Sequence, residues 1–515
     1  MNPAELEILR TVFASVPEEM GVALRRTAFS PNIKERMDAS CAIFDATGRM
    51  VAQAEHIPVH LGSMPVTIHA FLGAFGGDLW DGDQLIANDP YRGGSHLPDI
   101  TLAKPVFHRQ RLIGFAVNRA HHADVGGRAP GSMPVGSRTL EEEGVVLEPA
   151  KWMLRGNEVA AIRERVTGGM RNPRERLGDL RAQVAANVLG ARRMQEIHEK
   201  YGADRANAFA EEILAYSERR VRAALAAAPR GVYRGEDALD DDGVRDVPLR
   251  IRCAVAIGDD VRVDFAGTDP QSEGNVNAPL AVTMSATYYV VRCLTDPEAP
   301  PNAGCYAPIH VTAPEGCLVN PRPPAAVAAG NVETSQRIVD TLFLALAAAF
   351  PDRVPAQSQG TMNNLLIGTD DAAYYETIAG GEGALPYRDG MSGVHTHMTN
   401  TRNTPVEALE LAYPMRVEAY RLIPGSGGRG AHVGGDGVRR AIRFLGDRGT
   451  LTIVSDRRTQ PPRGLAGGAD ARPGRNRLLR GEEEIPLPSK VTRELRKGDL
   501  VIVETPGGGG WGAYK

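Results

Sequence analysis

The sequence predicts an α+β protein of mixed architecture, an interwoven multi-part body with a central helical pair and a β-rich C-terminal part. Three observations carry this. Apolar residues recur at helical spacing over 4–27 and again over 174–228. Alternating apolar and polar runs at Leu249–Ala256 and Val261–Phe265 read as strands with one wet face. Beyond residue 424 the chain offers short β-like runs separated by glycine-rich stretches.

Taken in order, Leu6, Leu9, Val12, Phe13 and Val16 mark the first helix. Cys41–Phe44 and Arg49–Ala52 are strand candidates joined by a turn at Gly48, and Cys41 reads as a packed strand residue. Leu112–Val117 is another strand-like run. In the helical region Leu177, Leu180, Val184, Val188, Met194 and Ile197 form one stripe, and a second helix follows over about 205–227. Gly202 and Asp204 supply the break and an N-cap between them. Ile338, Leu342, Leu346 and Ala349 place a helix at 332–350, and Ala441–Leu445, Thr450–Ser455 and Leu500–Glu504 are late strands. The expected parts are 1–173, mixed α/β with the site loops; 174–230, helical; 231–423, mixed α/β; and 424–515, β-rich.

Composition excludes several function classes. The chain has 515 residues, 42% of them hydrophobic and 24% charged, with 59 basic against 63 acidic residues. That balance gives no electrostatic case for nucleic acid or an anionic membrane. Nine residues, Leu342 to Phe350, make the longest promising apolar run, well short of the roughly 18 that a membrane span needs. Glu5 and Glu7 come early with no basic-then-apolar segment, so a cytoplasmic chain is expected. Five scattered cysteines without a CxxC argue against a disulfide framework or a cysteine zinc site.

Chemistry concentrates between Asn88 and Asp124. His96 and Asp99 lie on a stretch stiffened by Pro90, Gly93, Gly94 and Pro98, and Asn118–Gly127 brings His121, His122 and Asp124. Two imidazoles and a carboxylate suit a divalent cation with open positions for water and substrate. Spacing alone leaves open whether His121 or His122 takes part. In an extended pair the two rings point to opposite faces, so only one reaches the site. A second cluster holds Arg36, Asp38, Glu55, His56 and His60. Its plainer reading is structural ion pairing; its functional one has His60 or Asp38 facing the pocket as ligand or general base. Asn331 or Thr334 could cap the helix that follows Gly330. His395 and His397, at i and i+2, would share a strand face and could chelate. The tracts 425–437 and 507–512 lack a Walker lysine and a following helix, so they read as turns.

These pieces resemble the hydantoinase B family, the B subunits of ATP-dependent N-methylhydantoinase, 5-oxoprolinase and caprolactamase, with a large subunit of acetone carboxylase as a relation. The likeness runs over nearly the whole chain. It rests on Asn88–Asp99, His121–Gly127, Asp264–Thr268 with Gly274–Asn277, Gly330–Thr334 and the tail Thr505–Gly512. It implies a metal held by His96, Asp99 and His121, zinc or manganese before iron, with Asp124 and His122 as candidates for proton transfer. It implies, too, a separate A-type subunit, in an A2B2 assembly, that uses ATP and magnesium to phosphorylate a hydantoin, 5-oxoproline or another lactam. This chain would complete the ring opening, with Glu333 and Arg337 orienting substrate or phosphate. The alternatives are a ketone carboxylase subunit or a non-catalytic scaffold for the A subunit.

Overall fold

A computed structural model describes residues 3–54, 57–369 and 372–514; Glu55 and His56 lie outside them. A seven-stranded antiparallel sheet organises the first part, in the order 50–54, 39–45, 111–121, 99–108, 84–87, 150–154, 157–158. Its centre is the hairpin Asp99–His108 with Arg111–His121, closed by Arg109 and Gln110, both at positive φ (49° and 66°). Two left-handed residues match the twist of flanking strands, as in a type I′ turn.

Alternation divides the sheet's two faces. Cys41, Ile43, Ala116 and Ala120 pack against the helices Pro3–Thr27 and Pro173–Tyr201. Ala42, Phe44, Phe115 and Val117 face a larger core that includes the helices Ser63–Phe75, Leu280–Leu294 and Ser335–Leu346. That core runs from Ala42 to Val454, so sequence-distant parts share one apolar interior.

The central helical pair is present as Pro173–Tyr201 and Ala203–Ala226. Gly202, at φ 79°, alone separates them, so Asp204 sits in the first turn of the second helix rather than capping it. The helix expected at 332–350 opens with a wider π-type turn, Gly330–Thr334, and becomes α-helical only over Ser335–Leu346. Neither Asn331 nor Thr334 caps it by a side chain; the Thr334 hydroxyl donates to the Val276 carbonyl instead. A four-stranded sheet, 309–312, 261–264, 249–257 and 231–239, carries that helix.

The C-terminal part is β-rich, as expected. Strands 364–368 and 373–377 join 448–454 and 490–496 in one sheet, while 415–422, 438–444, 500–504, 475–480 and 483–487 form another. The glycine tracts are more than turns. Gly428 N–H donates to Gly508 (2.8 Å), Gly508 to Gly435 (2.9 Å) and Gly435 to Glu382 (2.8 Å). A Cβ on Gly434 would overlap the Gly508 carbonyl, and one on Gly508 the Glu382 carbonyl. Backbones lie here where any side chain would intrude.

Buried charge ties the halves together. Arg337 reaches Asp237 (3.1 Å), Asp340 (3.3 Å) and Asp456 (2.7 Å), and Arg457 reaches Asp237 (2.9 Å), all buried. Among the described residues no helix is long and apolar enough to cross a membrane.

Gly434→Ala is expected to cost about 1–3 kcal/mol by overpacking. Gly73→Ala, on an exposed helical position with open space around it, should stabilise by about 0.5–1 kcal/mol. Urea unfolding of the two variants checks the contrast.

Candidate metal centre

Strand register assembles the cluster. Asp99 pairs directly with His121 across the central hairpin, so both side chains leave the same face. Ala39 pairs with Ala120 on the other flank, and the His121 N–H donates to the Asp38 carbonyl (3.0 Å), which brings Asp38 alongside. His96 arrives from the tight loop before Asp99, whose N–H donates to the His96 carbonyl (3.1 Å). His60 comes from the short turn Pro58–His60.

His96, Asp99 and His121 each offer a donor atom, all within 4.8 Å of one another, and all three are buried. His96 Nε2 is 3.4 Å and His60 Nε2 3.5 Å from Asp99 Oδ2. Five buried atoms have no hydrogen-bond partner: His60 Nε2, His96 Nε2, His121 Nε2, Asp99 Oδ1 and Asn331 Oδ1. A cavity of about 20 Å³ opens beside four of these five residues, lined by Asp38, His60, Asp99, His121 and Asn331. Buried polar atoms left unpaired cost about 1–3 kcal/mol each, so such a convergence calls for an occupant. Two imidazole nitrogens and a carboxylate oxygen fit a divalent cation of the zinc or manganese type.

Surrounding residues fix each ligand. His96 Nδ1 faces the Ala328 carbonyl (3.3 Å). Glu143 accepts from the Val327 and Ala328 N–H groups (both 3.0 Å) and the Ser137 hydroxyl (3.1 Å), holding that carbonyl in place. Asn275 and Asn277, from the motif Gly274–Asn277, anchor the same stretch: Asn277 donates to the Ala326 carbonyl (2.9 Å), and the Asn275 carbonyl accepts from Ala329 (2.9 Å). His121 stacks on Tyr375 with centroids 4.5 Å apart, and Arg36 covers that ring at 4.6 Å. Asn32 Nδ2 contacts His121 Nδ1 (2.9 Å) and donates to the His121 carbonyl (2.7 Å). The Ser95 hydroxyl donates to Asp99.

Electrostatics follow from this packing. Burial works against ionisation of Asp99, yet the His96 and His60 imidazoles hold its carboxyl well below the ordinary range. Burial lowers His121 strongly, reinforced by His96. Burial pushes Asp38 up to about 7 against the pull of Arg36. That places a proton acceptor near neutrality at the cavity wall.

The structure separates His121 from His122. His121 faces the cavity; His122 faces the helix Pro173–Tyr201, with Nε2 3.0 Å from Gln183 Oε1, and does not line the cavity. Asp124 does not line it either. Its carboxylate accepts from the N–H groups of Gly126 and Gly131 (both 2.8 Å) and from Arg171 Nη1 (3.0 Å), which shapes the following loop. Arg337 belongs to the buried ion network rather than to this wall. Glu333 lies beside it, Oε1 accepting from Met362 N–H (3.3 Å), and burial pushes its carboxyl up to about 8. His395 and His397 lie outside any strand, and among the described residues no third donor joins them in a metal-sized group. Sequence reasoning missed Glu143, Asn32 and Tyr375. Glu143 hides in the acidic run Glu141–Glu143, where it alone is buried; Asn32 and Tyr375 carry no spacing signal.

The chain matches the profile of the Hydantoinase B/oxoprolinase family over residues 2–514 and belongs to that family. It is 40% identical to 5-oxoprolinase 1 of Arabidopsis thaliana over 99% of its own length, spanning 42% of that longer protein. It is 33% identical to the B subunit of a putative D-/L-hydantoinase from a Pseudomonas species, covering 99% of this chain and 90% of the other. Among solved structures, the ATP-dependent caprolactamase of Pseudomonas jessenii superposes with a TM-score of 0.94 at 28% identity, over 100% of this chain and 91% of that one. The family is thus one of ATP-dependent enzymes acting on cyclic amides.

His122 gives a pH test. Burial holds its imidazole down at about 4, so it stays neutral where an unfolded chain, near 6.5, takes up a proton. The stability this costs on acidification is intact above pH 6.5 and lost as pH falls through about 4. His122→Asn should therefore gain on the wild type by up to about 1.4 kcal/mol per pH unit within that window. Unfolding midpoints of both proteins at pH 7.5, 6 and 5 check it.

Proposed function

We propose that this chain is the metal-bearing subunit of an ATP-dependent cyclic amidohydrolase, and that it opens the ring of a hydantoin, 5-oxoproline or another lactam already activated by phosphorylation. The observation that carries the reading is the grouping of donor atoms from His96, Asp99 and His121 within 4.8 Å of one another, with unpartnered buried atoms of His60, Asp99, His121 and Asn331 beside one small cavity.

A cyclic amide is a poor electrophile because resonance ties up its carbonyl, and phosphorylating that oxygen provides a good leaving group. A divalent cation held by His96, Asp99 and His121 would supply Lewis-acid activation of water near neutral pH. Asp38 accepts the proton released, its carboxyl lifted by burial to about 7. His60, with Nδ1 2.9 Å from the Ser40 hydroxyl, holds Nε2 towards Asp99 and orients it. The Asn331 side-chain oxygen accepts from a ring N–H. The cavity beside these groups has room for about one water.

A separate A-type subunit would bind ATP and magnesium and carry out the phosphorylation, in an A2B2 complex. The Pseudomonas hydantoinase relative, itself named as one of an enzyme's subunits, supports this division of labour, and an ATP-driven reaction suits a cytoplasmic location.

Elemental analysis should find one divalent metal per chain, lost in His96→Ala and Asp99→Ala and kept in His122→Asn. A wild type that stays metal-free after reconstitution with zinc and manganese would sink the reading. With an A-type partner, ATP-dependent lactam hydrolysis should appear. Asp38→Asn should lower kcat by about 10²–10⁴-fold with the metal retained; loss of the metal as well would make Asp38 a ligand.

A further inference from the structure

A second cavity, of about 650 Å³, shares a wall with the first. The segment 394–401 lines both. Val394, His395, Thr396 and His397 face the larger space, and Met398, Thr399 and Thr401 the smaller. Its walls mix aromatic and aliphatic groups, among them Tyr289, Phe343 and Val394, and its volume falls within the usual range of small-molecule sites.

Three consecutive residues set this chamber apart. His395 Nδ1 and Nε2, Thr396 Oγ1 and His397 Nε2 are all shielded from solvent without a hydrogen-bond partner, and Thr396 and His397 are each only 8% exposed. The nearest carboxylate to His397 Nε2, Asp340 Oδ1, is 3.8 Å away, beyond hydrogen-bonding length. Burial holds both imidazoles at about 4, so at neutral pH each is uncharged; His395 offers one donor and one acceptor, while His397 has Nδ1 3.5 Å from the Tyr289 hydroxyl and offers Nε2. The backbone is held meanwhile: Gln336 Nε2 donates to the Thr396 carbonyl (3.0 Å), and Val394 and Gly380 exchange N–H···O bonds of 2.9 and 3.1 Å. These unpaired atoms are therefore presented by a fixed strip of chain.

Of the charged lining residues, Asp352 and Arg353 are exposed and Glu382 is paired with Arg388 (2.8 Å). The stretch beside His395, Thr396 and His397 therefore offers neutral donors and acceptors and suits a ring that presents C=O and N–H together. We infer that the chamber behind His395, Thr396 and His397 is a second binding site, separate from the metal cluster, for an uncharged cyclic amide. The ligand class rests on the function proposed above, the ring being held here before its phosphorylation; the existence of a site for a neutral polar ring does not. The apolar ring lies against Tyr289, Phe343 and Val394, and the amide edge meets the three polar side chains.

The test uses the purified chain with ε-caprolactam, 2-pyrrolidinone and hydantoin as probes and cyclohexanone as the analogue lacking N–H. Titration calorimetry and saturation-transfer NMR read binding, and elemental analysis of the same samples reads metal. The lactams should bind the wild type, and His395→Leu and Thr396→Val should each weaken them about tenfold or more, the expected loss of a buried hydrogen bond. His96→Ala should leave lactam affinity unchanged, and cyclohexanone should bind more weakly. Two results overturn the inference: no lactam binding by the wild type at the solubility limit, or wild-type affinity in both chamber variants. Loss of binding in His96→Ala but not in Thr396→Val overturns it too, by placing the ligand at the metal cluster. A wild type that lacks metal yet binds lactam through His395 and Thr396 would sink the hydrolytic mechanism and leave this site standing.

Discussion

The register of one hairpin governs the candidate centre. Asp99 and His121 meet because the strands 99–108 and 111–121 pair as they do, and a one-residue slip would turn one of the two side chains through the sheet. Several contacts pin that register. The two-residue turn at Arg109 and Gln110 sets the loop length. Buried Arg119 donates to the Thr101 hydroxyl of the neighbouring strand (2.8 Å), the Thr67 hydroxyl (2.8 Å) and the Gly93 carbonyl (3.0 Å). That one guanidinium joins the hairpin, the helix Ser63–Phe75 and the loop that carries His96, so the loop follows the sheet rather than moving apart from it.

A centre built of imidazoles and one ionised carboxylate is held here largely by backbone groups. The structure supplies backbone carbonyls and amides held by residues one step further out. Glu143 secures the Val327–Ala328 backbone, Asn277 secures Ala326, and the Ala328 carbonyl faces His96. Side chains oriented by such outer contacts would lose little entropy on binding a cation. A denser set of full charges lies elsewhere, in the network of Arg337, Arg457, Asp237, Asp340 and Asp456, where each guanidinium has carboxylates within reach. Removing one member there would strand a buried charge.

Much of this is legible in the amino-acid sequence, and what is not has physical causes. Long periodic segments, such as the helical pair and the first helix, declare themselves because 3.6-residue spacing persists over many turns. The strand 99–108 and the helix 280–294 escape that reading: buried on most sides, they carry no polar face to mark the period. His96, Asp99 and His121 stand out by residue type and nearness in sequence, and alternation alone says that only one of His121 and His122 can reach the site. What alternation cannot say is which one, since that depends on which sheet face meets the helix Pro173–Tyr201 and Gln183. Asp124 looks catalytic for the reason it is structural: a carboxylate among glycines finds free backbone N–H groups, and it accepts two of them. Glu143 cannot be told from Glu141 and Glu142 without the fold, because burial is not written in composition.

The glycine tracts connect these parts. Gly381 N–H donates to the Pro506 carbonyl (3.1 Å), Gly380 pairs with Val394, and Gly393 N–H donates to the Asp436 carbonyl (3.0 Å). The wall between the two cavities is thus hung from a layer of backbone-to-backbone contacts in the C-terminal part. A layer made of backbone has no rotamers to adjust, and close-packed interiors transmit displacement rather than absorb it. The position of Thr396 and His397 on one side, and of Thr399 and Thr401 on the other, therefore depends on residues such as Gly435 and Gly508 that touch neither cavity's ligand groups. The β-rich part thus sets the thickness and place of that shared wall from a distance.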